Sequence, residues 1–205
     1  AGAVDFIGKP DGEVSTNLKQ YTWEIIKKIK LAASANVKRL PFQLKKELHK
    51  PVVTTQAGNL VVLGISTGGP STLKQLFSLL KENIDVAIVT IIHITDIYAQ
   101  KLCEILDDNS NFKVELAAQN SKIERGKILV CSGVNNYEIS NDGRISIVAP
   151  PANQTYTPST DVLFISAAKL ANKRRVLGIV MTGMGNDGSR GVEVLYDAGG
   201  KIAVQ

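Results

Sequence analysis

Residues 60–77 read LVVLGISTGGPSTLKQLF: an unbroken apolar run passes through a glycine-rich turn into a helical stretch. A strand without alternation is buried on both faces, as strands of a parallel sheet are. Pro70 suits the first turn of a helix, where its missing N–H costs nothing. The unit then repeats along the chain. Strand 60–65 leads to helix 70–82, and strand 85–92 to helix 97–108. Strand 112–117 and the strand KILVCS follow. YEIS-NDG-RISIVAP reads as a β-hairpin turning at Asp142-Gly143. Helix 159–173, strand 176–181, helix 189–197 and a last strand, KIAVQ, complete the series. Apolar strands alternating with helices predict an α/β fold: a doubly wound, mostly parallel sheet with helices on both faces, three-layer α/β/α, carrying one inserted hairpin.

Upstream of residue 59 the pattern differs. VDFIG within residues 1–10 reads as a short strand ending at Lys9-Pro10, and residues 16–35 as an amphipathic helix. From 36 to 58, two prolines and a basic cluster (Lys38, Arg39, Lys45, Lys46, Lys50) read as a linker. The net charge of +5 is concentrated there, leaving the remainder nearly balanced. A basic linker with few aromatics to stack on bases argues against nucleic-acid binding. No apolar run approaches the ~18 residues a membrane span needs, and no signal-peptide pattern opens the chain. The first residue is not Met, which fits a fragment of something longer. Cys103 and Cys131 lie in a predicted helix and a predicted strand, a spacing that suits neither zinc nor a disulfide framework, so both read as buried free thiols.

In a doubly wound sheet the ligand sits at the carboxyl ends of the strands, which directs attention to GISTGGP, HITD and TGMGNDG. GISTGGP admits two readings. It is not a Walker loop, which needs Lys before Ser or Thr at its end, nor a dinucleotide fingerprint, since Gly64, Gly68 and Gly69 are wrongly spaced. A looser phosphate or phosphosugar site at a helix N-terminus remains open. Gly64-Ile65-Ser66-Thr67-Gly68 does match G-x-S-x-G, in which glycine relieves crowding around a serine nucleophile. An α/β-hydrolase is excluded, because its His comes last and the two histidines here are His49 and His93. His93 ends the strand adjacent to Ser66, within reach of its hydroxyl. A triad needs a carboxylate to orient that imidazole. Asp187 in TGMGNDG is the choice, against the simpler reading that Asn186-Asp187-Gly188 caps the next helix. Asp96 reads as a cap of the helix from Ile97, and Asp161 as a dipole partner of its own helix.

GISTGGP, His93 at a strand end, TPSTDVLFISAAK and LGIVMTGMGNDGSRGVEVLYDAGG together resemble the catalytic domain of the CheB family, the chemotaxis protein-glutamate methylesterases. The resemblance runs from Leu60 to Gln205. AGAVDFIGKP resembles the final strand of a response-regulator receiver domain. This implies three parts: a receiver remnant over 1–35, a basic interdomain linker over 36–58, and a catalytic domain over 59–205 that lacks the family's C-terminal segment. The resemblance implies Ser66 as nucleophile, His93 as general base then acid, and Asp187 as its orienting carboxylate, with the backbone N–H groups of Thr67 and Met184 as the oxyanion hole. It implies hydrolysis of glutamate γ-methyl esters on chemoreceptors, and deamidation of receptor glutamines, with no metal or organic cofactor, in the cytoplasm. A histidine kinase is the implied partner of the receiver domain, most of which, with its phosphoacceptor aspartate, is not in this chain. Departures fall at Ile94 and Thr95, where the family has Met-Pro, and at Ser132–Asn136, where it carries Pro, Asp and His. These bear on substrate fit. Two further readings stay open: a phosphosugar- or nucleotide-binding α/β module, and a non-catalytic regulatory fragment.

Overall fold

A computed structural model of the chain describes residues 22, 23, 26–30, 33, 58–66, 69–181 and 186–205. The strand expected within 1–10, almost all of the 36–58 linker, and residues 67–68 and 182–185 lie outside them. Two compact units divide at residue 46. In the first, the described residues 22–23, 26–30 and 33 are helical, within the stretch expected as a helix.

The second unit is built on a six-stranded sheet. Its elements are β1 (Asn59–Ile65), α1 (Gly69–Ser78), β2 (Ala87–Ile92), α2 (Asp96–Asp107), β3 (Lys113–Leu116), β4 (Lys127–Cys131), the hairpin β5 (Asn136–Ile139) and β6 (Ile145–Val148), α3 (Thr160–Ala168), β7 (Arg175–Met181), α4 (Ser189–Asp197) and β8 (Lys201–Val204). The sheet order is β3-β4-β2-β1-β7-β8, and every pairing in it is parallel. The antiparallel hairpin stands apart as a two-stranded ribbon. β1 is central. The chain runs outward from it to β2 on one side and returns to pair β7 on the other, which makes its carboxyl end a crevice.

Side-chain alternation along β1 divides the core. Leu60 and Val62 join Leu163, Phe164 and Leu195 on the face covered by α3 and α4. Leu63 and Ile65 join Leu73, Phe77, Leu102 and Leu106 on the face covered by α1 and α2. All six residues of β2 are buried, as the unbroken apolar run predicted. Helices α1 and α3 stop sooner than the sequence pattern indicated, at Ser78 and Ala168, because the apolar residues beyond them sit in turns. The hairpin is tied to α3 by the Ile139 N–H, which donates to Ser166 Oγ at 2.9 Å.

One expectation about helix ends is corrected. Asp96 does not cap α2: Thr95 occupies the N-cap without a side-chain bond, and Asp96 is the first helical residue. Its carboxylate instead accepts from Ser132 Oγ at 2.8 Å, tying α2 to the loop after β4. Asp161 lies in the first turn of α3, as expected, and also accepts from the Gly191 N–H of α4 at 2.7 Å.

Candidate active site

The register of the sheet brings the first two candidates together. Ile65 pairs with Ile92, so Ser66 and His93 are the next residues at adjoining ends of β1 and β2, on strands spaced about 4.8 Å apart. The carbonyl of Ser66 accepts from Gly69 N–H at 2.9 Å, which closes the turn into α1. That bond occupies one of the donors a phosphate cradle at this helix end would have offered.

His93 is partly exposed, at 25% of its side chain, and its ring is held from one side. Nε2 lies 2.9 Å from the carbonyl oxygen of Pro158 and 3.9 Å from Asp187 Oδ2. A carbonyl can only accept, so Nε2 carries the proton of the neutral ring, and Nδ1 is left as the basic nitrogen. Asp187 stands as an ionic neighbour of the ring, and Pro158 O is its direct partner. Tyr156 flanks the imidazole, ring centroids 6.2 Å apart and tilted by 54°.

Asp187 does not cap the helix that follows it. Gly188, with φ 99°, occupies the N-cap of α4. The Asp187 carboxylate turns to the N-terminus of α3, where Oδ1 accepts from Ser159 Oγ (2.8 Å) and the Asp161 N–H (3.1 Å), and Oδ2 from the Thr160 N–H (2.7 Å). The unpaired N–H groups and positive dipole end of a helix favour an anion there. Glycine makes the approach possible. A Cβ on Gly64 would run into Thr160, and one on Gly188 would lie 3.1 Å from the same methyl group. The first glycine of G-x-S-x-G therefore clears space for a neighbouring helix as well as for its own turn.

Thr67 and Met184, expected to supply the oxyanion hole, lie outside the described residues. Among the described residues no three His, Cys, Asp or Glu side chains gather as a metal site, and no helix is long and apolar enough to cross a membrane. A recess of about 720 Å³, lined by Leu63, Phe77, Val86, Val176 and Ile179 among others, opens toward the amino ends of the strands, marked by Asn59 and Arg175, away from His93. Sequence reasoning missed the Pro158 carbonyl and Ser159. Their signal was available in part: a Ser directly before the apolar run of α3 is an N-cap pattern.

The chain matches the CheB methylesterase family over residues 61–205. It belongs to that family. The protein-glutamate methylesterase/protein-glutamine glutaminase 2 of Carboxydothermus hydrogenoformans is 34% identical over 212 residues, covering 97% of this chain and 60% of that protein. A protein-glutamate methylesterase/protein-glutamine glutaminase of Pyrococcus abyssi is 31% identical over 212 residues, covering all of this chain and 57% of its own. This member of the CheB family thus spans up to about 60% of the length of those curated relatives. The crystal structure of the Thermotoga maritima CheB methylesterase catalytic domain superposes with a TM-score of 0.65 at 24% identity, covering 73% of this chain and 79% of that one. That likeness establishes the mostly parallel α/β fold.

Proposed function

We propose that this CheB-family chain is a serine hydrolase that removes the methyl group from glutamate γ-methyl esters of chemoreceptors and deamidates receptor glutamines. The observation that carries the reading is the meeting of Ser66, His93 and Asp187 at one crevice: adjoining ends of register-paired strands, with a carboxylate 3.9 Å from the imidazole. Ser66 Oγ attacks the ester carbonyl carbon while its proton passes to Nδ1 of His93. The imidazolium so formed is stabilised by Asp187 and by the Pro158 carbonyl. The tetrahedral oxyanion is received by the backbone N–H groups of Thr67 and Met184. Collapse expels methoxide, which takes the proton from His93 and leaves as methanol. Water then repeats the sequence on the acyl-enzyme, and a free glutamate carboxylate departs. With a glutamine the leaving group is ammonia.

The receiver remnant at 1–35, the linker at 36–58, the link to a histidine kinase through the receiver domain, and a cytoplasmic location belong to the same reading. The free, buried Cys103 and Cys131 suit a reducing compartment. The test is methanol release from membranes bearing radiolabelled methylated chemoreceptors, with Ser66→Ala beside the parent. Release by the parent alone supports the reading. Equal release by both, or stabilisation by phosphate ligands with no hydrolysis by a folded parent, would overturn it.

A further inference from the structure

Asp187 is one end of a buried polar chain that the catalytic reading does not use. Ser159 is 6% exposed, and its hydroxyl has two roles: it accepts from Val162 N–H as the N-cap of α3, and it donates to Asp187 Oδ1 at 2.8 Å. Its backbone N–H is taken in turn by Oδ1 of Asn136, at 2.9 Å. Asn136, the first residue of the hairpin, is 1% exposed and faces Gln154 amide to amide: Nδ2 donates to Gln154 Oε1 at 2.7 Å, and Gln154 Nε2 donates back to Asn136 Oδ1 at 2.9 Å. Gln154 Nε2 also reaches the Tyr156 carbonyl and, at 3.2 Å, Thr157 Oγ1. The segment 154–159 is thereby folded around one amide pair. It presents three things toward His93: the Tyr156 ring, the Pro158 carbonyl and, through Asp187, the Ser159 hydroxyl.

We propose that Ser159 is a positioning residue of the hydrolytic site, holding the Asp187 carboxylate so that Oδ2 faces His93, and that Asn136 is the anchor that holds Ser159. The inference rests on the triad reading above. Its physical basis is a count of acceptor sites. A carboxylate offers about four lone-pair positions. Ser159 Oγ and Asp161 N–H occupy both on Oδ1, and Thr160 N–H takes one on Oδ2, so a single position remains, on the oxygen nearer the imidazole. Without the Ser159 donor, Oδ1 has an unfilled position, and the carboxylate is free to rotate away or to share its charge differently between its oxygens. Asn136 falls at one of the positions where the chain departs from the family pattern, so the anchor is read from this chain's own contacts.

A purely structural N-cap predicts loss of stability and nothing else. The experiment therefore measures kcat, KM and the pH profile of methanol release per folded molecule for Ser159→Ala, Ser159→Thr and Asn136→Ala, with folding checked by circular dichroism at the assay temperature. Hydrogen bonds to charged groups set the scale. Ser159→Ala should lower kcat by about 10- to 100-fold with KM little changed. It should also move the acid limb of the kcat profile to lower pH, because a carboxylate no longer held toward the ring stabilises the imidazolium less. The other titratable groups set against this centre are Tyr156, which flanks the ring, and Asp161 on α3, whose N–H donates to Asp187 and whose carboxylate is engaged by Gly191 N–H. Ser159→Thr, which keeps the hydroxyl, should restore both readouts, and Asn136→Ala should fall between.

A Ser159→Ala enzyme with parental kcat and an unmoved acid limb, whatever its melting temperature, would overturn the inference. If Ser159→Ala does not fold, an Asn136→Ala enzyme with unchanged kcat overturns it equally. Failure of the underlying reading looks different, since Ser66→Ala would then retain the activity.

Discussion

Replacing Gly64 with Ala adds one methyl group at a position where the geometry leaves no room. The new Cβ would meet Thr160 Oγ1 at 2.8 Å and Cβ at 3.2 Å, with Cγ2 nearer still, where ordinary contact begins at about 3.4 Å. β1 cannot yield, because it is hydrogen-bonded on one side to β2 and on the other to β7. Thr160 has little freedom either. It is 4% exposed. Relief requires the N-terminus of α3 to withdraw by on the order of 1 Å, and overpacking of this kind costs about 1–3 kcal/mol. The displaced residue is the one whose N–H holds Asp187 Oδ2 at 2.7 Å, so the carboxylate moves with it. A misplacement of about 1 Å near reacting groups lowers rate by about 10²-fold. Urea unfolding should thus show a lower midpoint at unchanged slope, and methanol release should fall in kcat more than in KM. Thr160→Ala removes both the methyl group and the hydroxyl that obstruct the new Cβ. Gly64→Ala/Thr160→Ala should therefore recover most of both losses, a favourable coupling in a double-mutant cycle. Parental stability and rate in Gly64→Ala, or additive losses in the double variant, would refute the account.

Other expectations are separately measurable. Asp187→Asn should lower kcat by about 10²–10⁴-fold, because an amide cannot accept on both sides from the three donors and still face the imidazole with a negative oxygen. Cys103, whose thiol is pushed up to about 12 mainly by burial, and Cys131, raised in the same direction by its complete burial, should resist iodoacetamide at pH 8 in the folded protein and react on unfolding, as read by mass spectrometry. Burial also holds the Tyr137 phenol at about 12, and its hydroxyl donates to the Ser132 carbonyl at 2.8 Å. Groups whose pKa is raised on folding add stability that is fully present below their unfolded values, near 9 and 10, and is lost as pH climbs toward 12. The urea midpoint should accordingly decline across that window, and decline less steeply in Tyr137→Phe.

The doubly wound sheet was legible because its central strands are unbroken apolar runs: LVVLGI and AIVTII leave little alternative to a parallel core. Pairing of Ser66 with His93 was legible for the same reason, since strand ends share an edge once the sheet is parallel. Asp187 was singled out from TGMGNDG as the carboxylate beside the imidazole, but the groups that hold it were not legible. Asp187 is two residues before α4, where the simpler local reading is a cap of that helix, whereas its partners lie 26 to 28 residues earlier in the chain. Pro158 contributes a carbonyl, which side-chain identity cannot reveal. Asn136 looked like a departure from the family pattern, and its partners Gln154 and Ser159 become apparent only when the hairpin folds back on the loop before α3.

The arrangement has a consequence for how the acid works. A carboxylate that met the imidazole directly, with few other donors, would make His93 a stronger base and also a more persistent cation. Here Asp187 gives most of its acceptor capacity to α3 and stands 3.9 Å from Nε2, while a neutral carbonyl takes the direct bond at 2.9 Å. The carbonyl fixes the tautomer and ring plane without a charge, and the carboxylate supplies charge at a distance where it acts once the ring is protonated. In the proposed triad, orientation and electrostatic stabilisation, carried by one Asp in the simplest case, would be divided between two adjacent residues, Pro158 through its carbonyl and Ser159 through Asp187. Because both follow Gln154 and its amide partner Asn136, a perturbation of that pair should disturb ring orientation and charge placement together, whereas Asp187→Asn should remove the charge and leave the Pro158 bond, and with it the tautomer, in place. Histidine NMR of the two variants separates these: Asp187→Asn keeps Nε2 as the protonated nitrogen of the neutral ring, and Asn136→Ala yields a mixture of tautomers. A mixture in Asp187→Asn would return the orienting role to the carboxylate.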